Sequence, residues 1–331
     1  MTALYPWLTP LYQQIAQTIA QHNAHHAILI QSEHGLGAAS LLQKIAKRLL
    51  CQTPNALEPC NHCHSCQLFE AHSHSDFHSL IRVENKEIGV EQVREMNEIV
   101  AQHSQQGGNK VILVEADSLT DAAANAILKT LEEPRPNTYF LLSANAQAAL
   151  LPTIFSRCQR WQLLTPHRES ASAFLANATN LPSDSPEIHF ALAMAQNRVL
   201  DALTILQNDE LTARKNFLRQ FWLFFQRRSP LEILPFFDKE KERVFTQFDW
   251  ILAFVSDALK CKLGIQQDWQ SLDLTRGVEQ LAQSLSAQQL LNATQILQQT
   301  RSDLRQINGV NLELMLLSGL TKLITEVFEH P

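Results

Sequence analysis

The sequence predicts an α/β domain built on a parallel sheet, followed by an all-α region. Between residues 27 and 164, short apolar runs alternate with stretches of helical periodicity, a pattern typical of a parallel sheet covered by helices. The apolar runs are residues 27–30, 111–114 and 139–142. Strand signals stop after Pro166, and the remaining chain is helical in pattern.

Each element of the predicted α/β domain has a local cause. The run at 27–30 is a buried strand, and the turn at 32–37 leads into an amphipathic helix at about 40–50. The strand at 111–114 is followed by a helix at about 121–133, whose apolar residues share one face and which a proline ends.

The helical region divides into a short segment, 165–207, and a longer one, 208–331. An aromatic-rich stretch at 217–225 is expected to pack in the core of the longer segment rather than to stack on bases. The last helix carries one apolar stripe at i, i+4, i+7 and i+11. The stripe consists of Leu316, Leu320, Leu323 and Val327.

Composition limits the classes of protein that fit. The 331 residues are 45% hydrophobic and 18% charged, enough for two or three compact units. The net charge of -6 disfavours a dedicated nucleic-acid binder, which usually carries a basic excess. No apolar run approaches the length of about 18 residues that spans a bilayer, and residues 1–10 lack a signal-peptide pattern. We therefore expect a cytoplasmic protein with no membrane partner.

Four of the six cysteines are clustered with the spacing C-x8-C-x2-C-x2-C. Two-residue gaps let neighbouring sulfurs turn toward one point, and four thiolates suit a closed structural zinc site. In a reducing compartment such a cluster is more often a metal site than a disulfide framework. The predicted ligands are Cys51, Cys60, Cys63 and Cys66.

Alternatives to the four-thiolate site remain open at this point. His62 or His64 could replace one thiolate. The spacing supports Cys51 least as a ligand, because this residue ends the preceding helix. The alternative without a metal is four buried cysteines that bind no ligand. The other clustered histidines, at 22–26 and 72–78, lack ligand-like spacing with a carboxylate, and we expect them in solvated turns.

A glycine-containing turn stands where a phosphate-binding loop would lie, between the first strand and its helix. A working loop reads G-x-x-x-x-G-K-S/T, in which the lysine neutralises the terminal phosphates and the hydroxyl holds magnesium. Here Ser32 replaces the first glycine, Ala38 the lysine and Ala39 the hydroxyl residue, while Gly35 and Gly37 remain. No ATP binding is expected. Taken alone, the turn is equally consistent with an ordinary strand-to-helix connection.

Two further positions also indicate that ATP binding has been lost. Nucleotide hydrolases of this kind place adjacent acids after the second apolar strand, whereas this chain has Val114 before a single acid, Glu115. Leu200, an uncharged residue, precedes Asp201 in the short helical segment. Separate changes in one nucleotide site favour a lost activity.

The segment 122–134 and the triplet Ser156-Arg157-Cys158 resemble the AAA+ clamp-loader subunits of bacterial DNA polymerase III. The cysteine insertion behind the loop helix, the opening residues 5–8 and the segment 307–311 are also similar to this family. The altered phosphate loop places the chain with the family's member that lacks its own ATP chemistry rather than with its gamma/tau ATPases. Active members carry an arginine where this chain has Leu200.

The resemblance implies an AAA+-like domain at 1–164 with a zinc module at about 50–67, a small helical lid at 165–207, and a helical collar for oligomerisation at 208–331. In such a collar the apolar stripe of the last helix would be a face for a partner. It also implies that Arg157 is an arginine finger acting in trans on ATP held by a neighbour, with Ser156 and Cys158 as positional residues of the motif. Guanidinium suits this role because it stays protonated and forks across phosphate oxygens.

The implied partners are gamma/tau ATPase subunits and the delta subunit in a hetero-pentameric loader, with the sliding clamp and primed DNA reached through the complex. The chain would be a non-ATPase component of the holoenzyme, the DNA-directed DNA polymerase, with structural Zn²⁺ as its cofactor. Two alternatives stay open: a divergent gamma/tau-like ATPase with its own turnover, and a zinc-dependent DNA-binding module acting alone.

Overall fold

This computed structural model describes residues 4–83, 86–306 and 312–328, without the side chain of residue 306. Two compact units are present, Met1–Ser170 and Ala171–Pro331. The segment 307–311, which contributes to the family resemblance, lies outside the described residues. The division into three domains stays a prediction.

The first unit is built on five parallel strands, which confirms the predicted α/β class. The order across the sheet is β2-β3-β4-β1-β5. In chain order the strands are β1 (Ala27–Ser32), β2 (Phe77–Leu80), β3 (Lys110–Glu115), β4 (Thr138–Asn145) and β5 (Gln159–Leu163). The runs predicted at 27–30, 111–114 and 139–142 all lie within strands of this sheet.

Helices cover both faces of the sheet because successive strand residues point to opposite sides. Ile28 faces one apolar core and Leu29 the other. The helices are α1 (Thr9–Ala20), α2 (Ala38–Leu50), α3 (His64–Glu70), α4 (Val90–Ala101), α5 (Asp121–Glu132) and α6 (Pro152–Phe155), and α7 (Arg168–Thr179) crosses the border between the units.

The strand order brings the predicted nucleotide elements to one edge of the sheet. β1 lies beside β4, with Ser32 level with Asn145, and β3 lies on the far side of β4, with Glu115 level with Ser143. The turn after β1 and the acids after β3 therefore meet at the carboxyl ends of the strands, where open α/β sheets bind ligands.

The second unit is all-α in its described residues, as predicted. Its helices are α8 (Pro186–Met194), α9 (Val199–Gln207), α10 (Glu210–Arg227), α11 (Lys241–Lys262), α12 (Thr275–Ser284), α13 (Ala287–Gln306) and α14 (Leu312–Leu323), followed by a π turn, Ile324–Phe328. Phe217, Phe221, Phe224 and Phe225 of α10 are buried in its core. The prediction that this aromatic stretch is core is confirmed.

The interpretation of the last apolar stripe as a partner face is wrong. Leu316, Leu320, Leu323 and Val327 are all buried within the second unit itself. Helices α13 and α14 pack on each other, so the stripe is covered by its own chain.

The crossing of α13 and α14 depends on a glycine. A Cβ at Gly319 would lie 2.6 Å from the Thr300 side chain. We expect Gly319→Ala to lower the free energy of unfolding by about 1–3 kcal/mol through overpacking, although alanine would otherwise stabilise a helix by about 1 kcal/mol. Urea unfolding measures the change.

Ser318→Ala, on the exposed side of the same turn, is the matched control and should be nearly neutral. Adding Thr300→Ala to Gly319→Ala should recover part of the loss, because it removes the crowded atoms. A stabilising Gly319→Ala substitution would show that the helices do not approach this closely.

Candidate functional site

The turn after β1 is held by the protein's own groups. Gly35 and Gly37 have positive φ values of 75° and 85°, a conformation that favours glycine. Leu36 between them is 1% exposed and packs in the core beside α1 and α2. The indole N–H of Trp7 donates to the Leu36 carbonyl at 2.8 Å. The two retained glycines thus shape a turn that is anchored by a buried side chain.

The acids after β3 are engaged within the chain. Glu115 accepts a hydrogen bond from the Arg82 backbone N–H at 3.0 Å, and the Arg82 Nε lies 3.8 Å from its other oxygen. Asp117 accepts from the Asn145 backbone N–H at 2.8 Å, at the end of β4. Both carboxylates act as structural acceptors, and Val114 is buried in the core.

The position of Leu200 falls in the first turn of α9. The neighbouring arginine, Arg198, is engaged locally: its Nε lies 3.1 Å from Asp201 and donates to the Ala195 carbonyl at 2.9 Å. That Leu200 replaces a nucleotide-sensing arginine stays a prediction.

Arg157 lies in the turn between α6 and β5, and the chain's own atoms hold its guanidinium. Nη1 donates to the Thr153 carbonyl at 3.0 Å and to Ser156 Oγ at 3.3 Å. Nη2 pairs with the carboxylate of Glu132, the last residue of α5. Ser156 thus contacts the arginine directly, as a positional residue would.

Cys158 is a packing residue. It lies against the core between the sheet, α5 and α6, and burial raises the pKa of its thiol to about 12. A thiol with so high a pKa is a poor nucleophile at neutral pH, which fits the positional role predicted for it.

Arg157 and the turn after β1 lie at opposite edges of the same sheet, where the edges are those formed by the amino ends and the carboxyl ends of the strands. Arg157 precedes Gln159, which is level with Ile28 near the start of β1, whereas the turn follows Ser32 at its end. Six strand residues at about 3.3 Å each separate the two edges by about 20 Å. Arg157 is therefore out of reach of the nucleotide loop position of its own chain.

A cavity of about 390 Å³ opens beside Arg157. Its lining residues are His25, His26, Leu131, Glu132, Ser156 and Arg157. Burial lowers the pKa of His26, and its Nε2–H donates to the Leu131 carbonyl at 2.7 Å. Apart from the two histidines, the ionisable side chains that line the cavity are those of Glu132 and Arg157.

The four clustered cysteines converge on one point. Their Sγ atoms all lie within 4.8 Å of one another, and the Cys51–Cys63 and Cys60–Cys66 pairs are each 4.0 Å apart. Tetrahedral zinc with Zn–S of about 2.3 Å places its sulfurs about 3.8 Å apart. The arrangement fits a tetrahedral metal ion such as zinc, and Cys51, least supported by spacing, belongs to the cluster.

Hydrogen bonds to sulfur favour thiolates in this cluster. The backbone N–H groups of Cys60, Cys63 and Cys66 donate to the sulfurs of Cys51, Cys60 and Cys63 respectively, at 3.3–3.4 Å. A hydrogen bond from the Thr53 hydroxyl lowers the pKa of Cys60 to about 5, whereas burial raises the pKa of Cys51. His62 instead pairs with the Cys60 carbonyl at 2.8 Å, outside the cluster.

Buried basic residues of α2 anchor the loop that carries the cysteines. The Lys47 ammonium, 2% exposed, donates to Asn61 Oδ1 at 2.7 Å and pairs with Glu70. The Arg48 guanidinium donates to the Ala56 carbonyl at 2.9 Å. The cluster is thus tied to the sheet-covering helix at several points.

The prediction of solvated turns is wrong for His78, which lies within strand β2, and for His74. His74, expected in a solvated turn, is buried: its Nε2 lies 2.7 Å from Ser65 Oγ, and its Nδ1 accepts from the Asp76 backbone N–H at 3.1 Å. Ser65 Oγ in turn donates to the Leu50 carbonyl at 2.6 Å. Burial lowers the pKa of His74, so the neutral ring joins the cysteine loop to β2.

The sequence interpretation missed Glu132 as the partner of Arg157 and Thr53 as a donor to the cysteine cluster. Glu132 stands at the end of the 122–134 segment, which carries the family resemblance, so its signal was present without a role attached. Thr53 has no signal beyond its place between the first two cysteines. Within the described ranges, no helix is long and apolar enough to cross a membrane.

Comparison with known proteins gives the class first. Residues 7–167 match the family model described as "DNA polymerase III, delta subunit", and residues 208–325 match one described as "DNA polymerase III, delta subunit, C terminal". The fold and both matches define a subunit of bacterial DNA polymerase III.

The curated relatives give the particular family. The delta-prime subunit of Haemophilus influenzae is 56% identical over 99% of this chain and 99% of its own length. Those of Yersinia pestis and Escherichia coli are 35% and 32% identical, each over 96% of this chain and over 94% and 95% of their own lengths. The chain belongs to the delta-prime subunit family of DNA polymerase III. The clamp-loader family predicted from the sequence is confirmed.

A solved structure of a gamma-subunit-related protein from Thermotoga maritima aligns with 98% of this chain and 100% of its own at a TM-score of 0.49 and 18% identity. The family assignment does not depend on it.

Proposed function

We propose that this chain is a non-ATPase subunit of the DNA polymerase III clamp loader that supplies Arg157 to the ATP site of a neighbouring gamma/tau subunit. The observation that supports this most is the placement of Arg157 and the altered nucleotide loop at opposite edges of one sheet. An arginine that cannot reach its own loop position can act only on a nucleotide held by another subunit.

The chemistry required of Arg157 is electrostatic. When the terminal phosphoryl group is transferred, negative charge spreads over its oxygens, and a fixed guanidinium stabilises that charge without taking or giving a proton. In the free chain, Thr153 and Ser156 hold the guanidinium through its Nη1 group, and Cys158 packs the turn against the core.

We propose Zn²⁺ as a structural cofactor held by Cys51, Cys60, Cys63 and Cys66. Bound zinc would cross-link the loop through four thiolates and leave no open position for chemistry. The chain's own contribution is the set of N–H···S hydrogen bonds and the anchoring of the loop by Lys47.

The proposed assembly is a hetero-pentamer with gamma/tau ATPases and the delta subunit. It would load the sliding clamp onto primed DNA in the cytoplasm, as part of the DNA-directed DNA polymerase holoenzyme. Within this chain we propose an AAA+-like domain at 1–164, a lid at 165–207 and a collar at 208–331. In the described residues from 168 onward every regular element is helical, which supports the last two only as helical regions.

The rival function, a divergent gamma/tau-like ATPase, is tested by nucleotide binding to the free chain. Ala38 and Ala39 supply neither the cation nor the hydroxyl that hold magnesium triphosphate. We expect a dissociation constant for Mg-ATP weaker than about 1 mM, a binding free energy below about 4 kcal/mol. Isothermal titration calorimetry with a gamma/tau subunit as positive control measures it.

Micromolar, stoichiometric binding of Mg-ATP or turnover by the purified chain would favour the rival instead. Substitution of Arg157 in the assembled loader tests the trans role directly, because a neighbour's turnover responds to it only if the guanidinium reaches that site.

A further inference from the structure

Both terminal nitrogens of the Arg157 guanidinium are engaged by the subunit's own acceptors. Nη1 donates to the Thr153 carbonyl and the Ser156 hydroxyl, and Nη2 pairs with Glu132. The Nε group is shielded from solvent and has no hydrogen-bond partner among the described residues. In this position the guanidinium cannot bind a phosphate through two hydrogen bonds at once. Bidentate binding needs two parallel N–H groups that are both free to donate in the same direction.

Glu132 is the acceptor against which a phosphate would compete. Thr153 and Ser156 offer neutral oxygens, whereas Glu132 offers a full negative charge to the same guanidinium. A nucleotide triphosphate carries several such charges on closely spaced oxygens, so it can replace one carboxylate at the guanidinium.

The ion pair between Arg157 and Glu132 has a small interaction free energy. Arg157 is 27% exposed and Glu132 48% exposed, and exposed ion pairs contribute little because water screens them. Glu132 is also the last residue of α5, where the partial negative charge of the helix end disfavours a carboxylate. A contact of this kind orients a side chain and yields readily to a stronger anion.

We propose that Glu132 holds Arg157 in a parked position in the free subunit, that is, a position in which the guanidinium cannot bind phosphate. When the loader assembles, the guanidinium transfers from Glu132 to the triphosphate of the neighbouring ATPase. The exchange is of ion pairs only, with no bond made or broken. This inference rests on the trans role proposed for Arg157 and adds its regulation: Glu132 is a positioning residue that opposes engagement.

The first test uses the reconstituted loader with Glu132→Ala or Glu132→Gln in this subunit. Removing the competing charge should raise kcat/KM for ATP by about 1.5- to 5-fold, the range to which the coupling of an exposed ion pair converts. Glu133→Gln is the matched control, since Glu133 is the adjacent acid, likewise exposed, and it should leave kcat/KM unchanged.

A fall in kcat/KM parallel to that of Arg157→Ala would mean that Glu132 braces the arginine in its working position, and the parking proposal would be overturned. An unchanged kcat/KM in the Glu132 variants would overturn it equally.

The second test uses the full-length free chain and does not depend on ATP turnover. Phenylglyoxal modifies accessible guanidinium groups, and peptide mass spectrometry follows Arg157 specifically. Its modification rate should rise about twofold or more in Glu132→Ala relative to Glu133→Gln, because the exposed pair no longer shields it. Equal rates would show that Glu132 does not hold the arginine.

The two tests separate the two proposals. If Arg157→Ala leaves loader turnover intact while Glu132→Ala exposes Arg157 to phenylglyoxal, the contact exists but the trans role fails, and with it the transfer to ATP. If Arg157→Ala lowers turnover but Glu132→Ala changes neither measurement, the trans role stands and the parking proposal alone is lost.

Discussion

Arg157→Ala should leave this subunit folded and able to assemble, yet slow ATP hydrolysis at the adjacent site by about 10³-fold, the scale on which arginine fingers act. The fold should tolerate the change because Arg157 is partly exposed and its ion pair is worth less than about 1 kcal/mol. The catalytic loss should be large because no lysine and no other arginine of the described chain lines the cavity beside it.

Pre-steady-state phosphate release from the assembled loader is the suitable measurement, since the assembly holds other ATPase subunits. The Arg157→Ala variant should reduce the amplitude of the phosphate-release burst by the amount that one ATPase site contributes. Arg157→Lys should recover only part of it, because an ammonium lacks the planar fork. Arg160→Ala removes an exposed arginine of β5 and should have no effect. An unaltered burst in Arg157→Ala would end the proposed trans role.

Replacement of a clustered cysteine should unfold the loop around it. Purified protein is expected to contain one zinc ion per chain, and Cys63→Ala should lose it. Structural zinc contributes directly to folding, with apparent binding free energies of about 10–16 kcal/mol in zinc-finger peptides. Because the loop is also anchored by Lys47 and Arg48, we expect a smaller loss, on the order of several kcal/mol, and a fall of about 10 °C or more in Tm.

Metal analysis and thermal unfolding by circular dichroism measure these two effects together. Cys261→Ala is the matched control, because Cys261 lies at the end of α11, outside the cluster, and it should keep both zinc and Tm. A native, fully reduced protein without metal, or a Cys63→Ala variant with unchanged Tm, would contradict a structural zinc site.

The strands that the sequence predicted are the interior ones. β1, β3 and β4 are buried on both faces between layers of helices, so each reads as an unbroken apolar run. β2 and β5 were missed because they are the outermost strands of the sheet. These strands are short and mix polar with apolar residues, as in Gln159–Leu163. They therefore show neither an apolar run nor the strict alternation that indicates a strand.

The buried basic residues of α2 show a second limit. Lys47 and Arg48 stand near the end of the amphipathic helix predicted at about 40–50. Both are buried because the loop that carries the cysteines folds back over them. His74 is buried for a similar reason, since Ser65 from that loop reaches it. A local pattern cannot indicate which later segment will cover a polar side chain.

The sequence by itself determined the α/β and all-α classes, the four-cysteine cluster and the absence of a lysine from the turn after β1. Each depends on residue types at short, fixed spacings along the chain. Only the tertiary structure decided that Arg157 and the altered loop lie at opposite edges of the sheet, and that Glu132 holds the guanidinium. Both depend on the strand order β2-β3-β4-β1-β5 and on packing between distant segments, which no local spacing encodes.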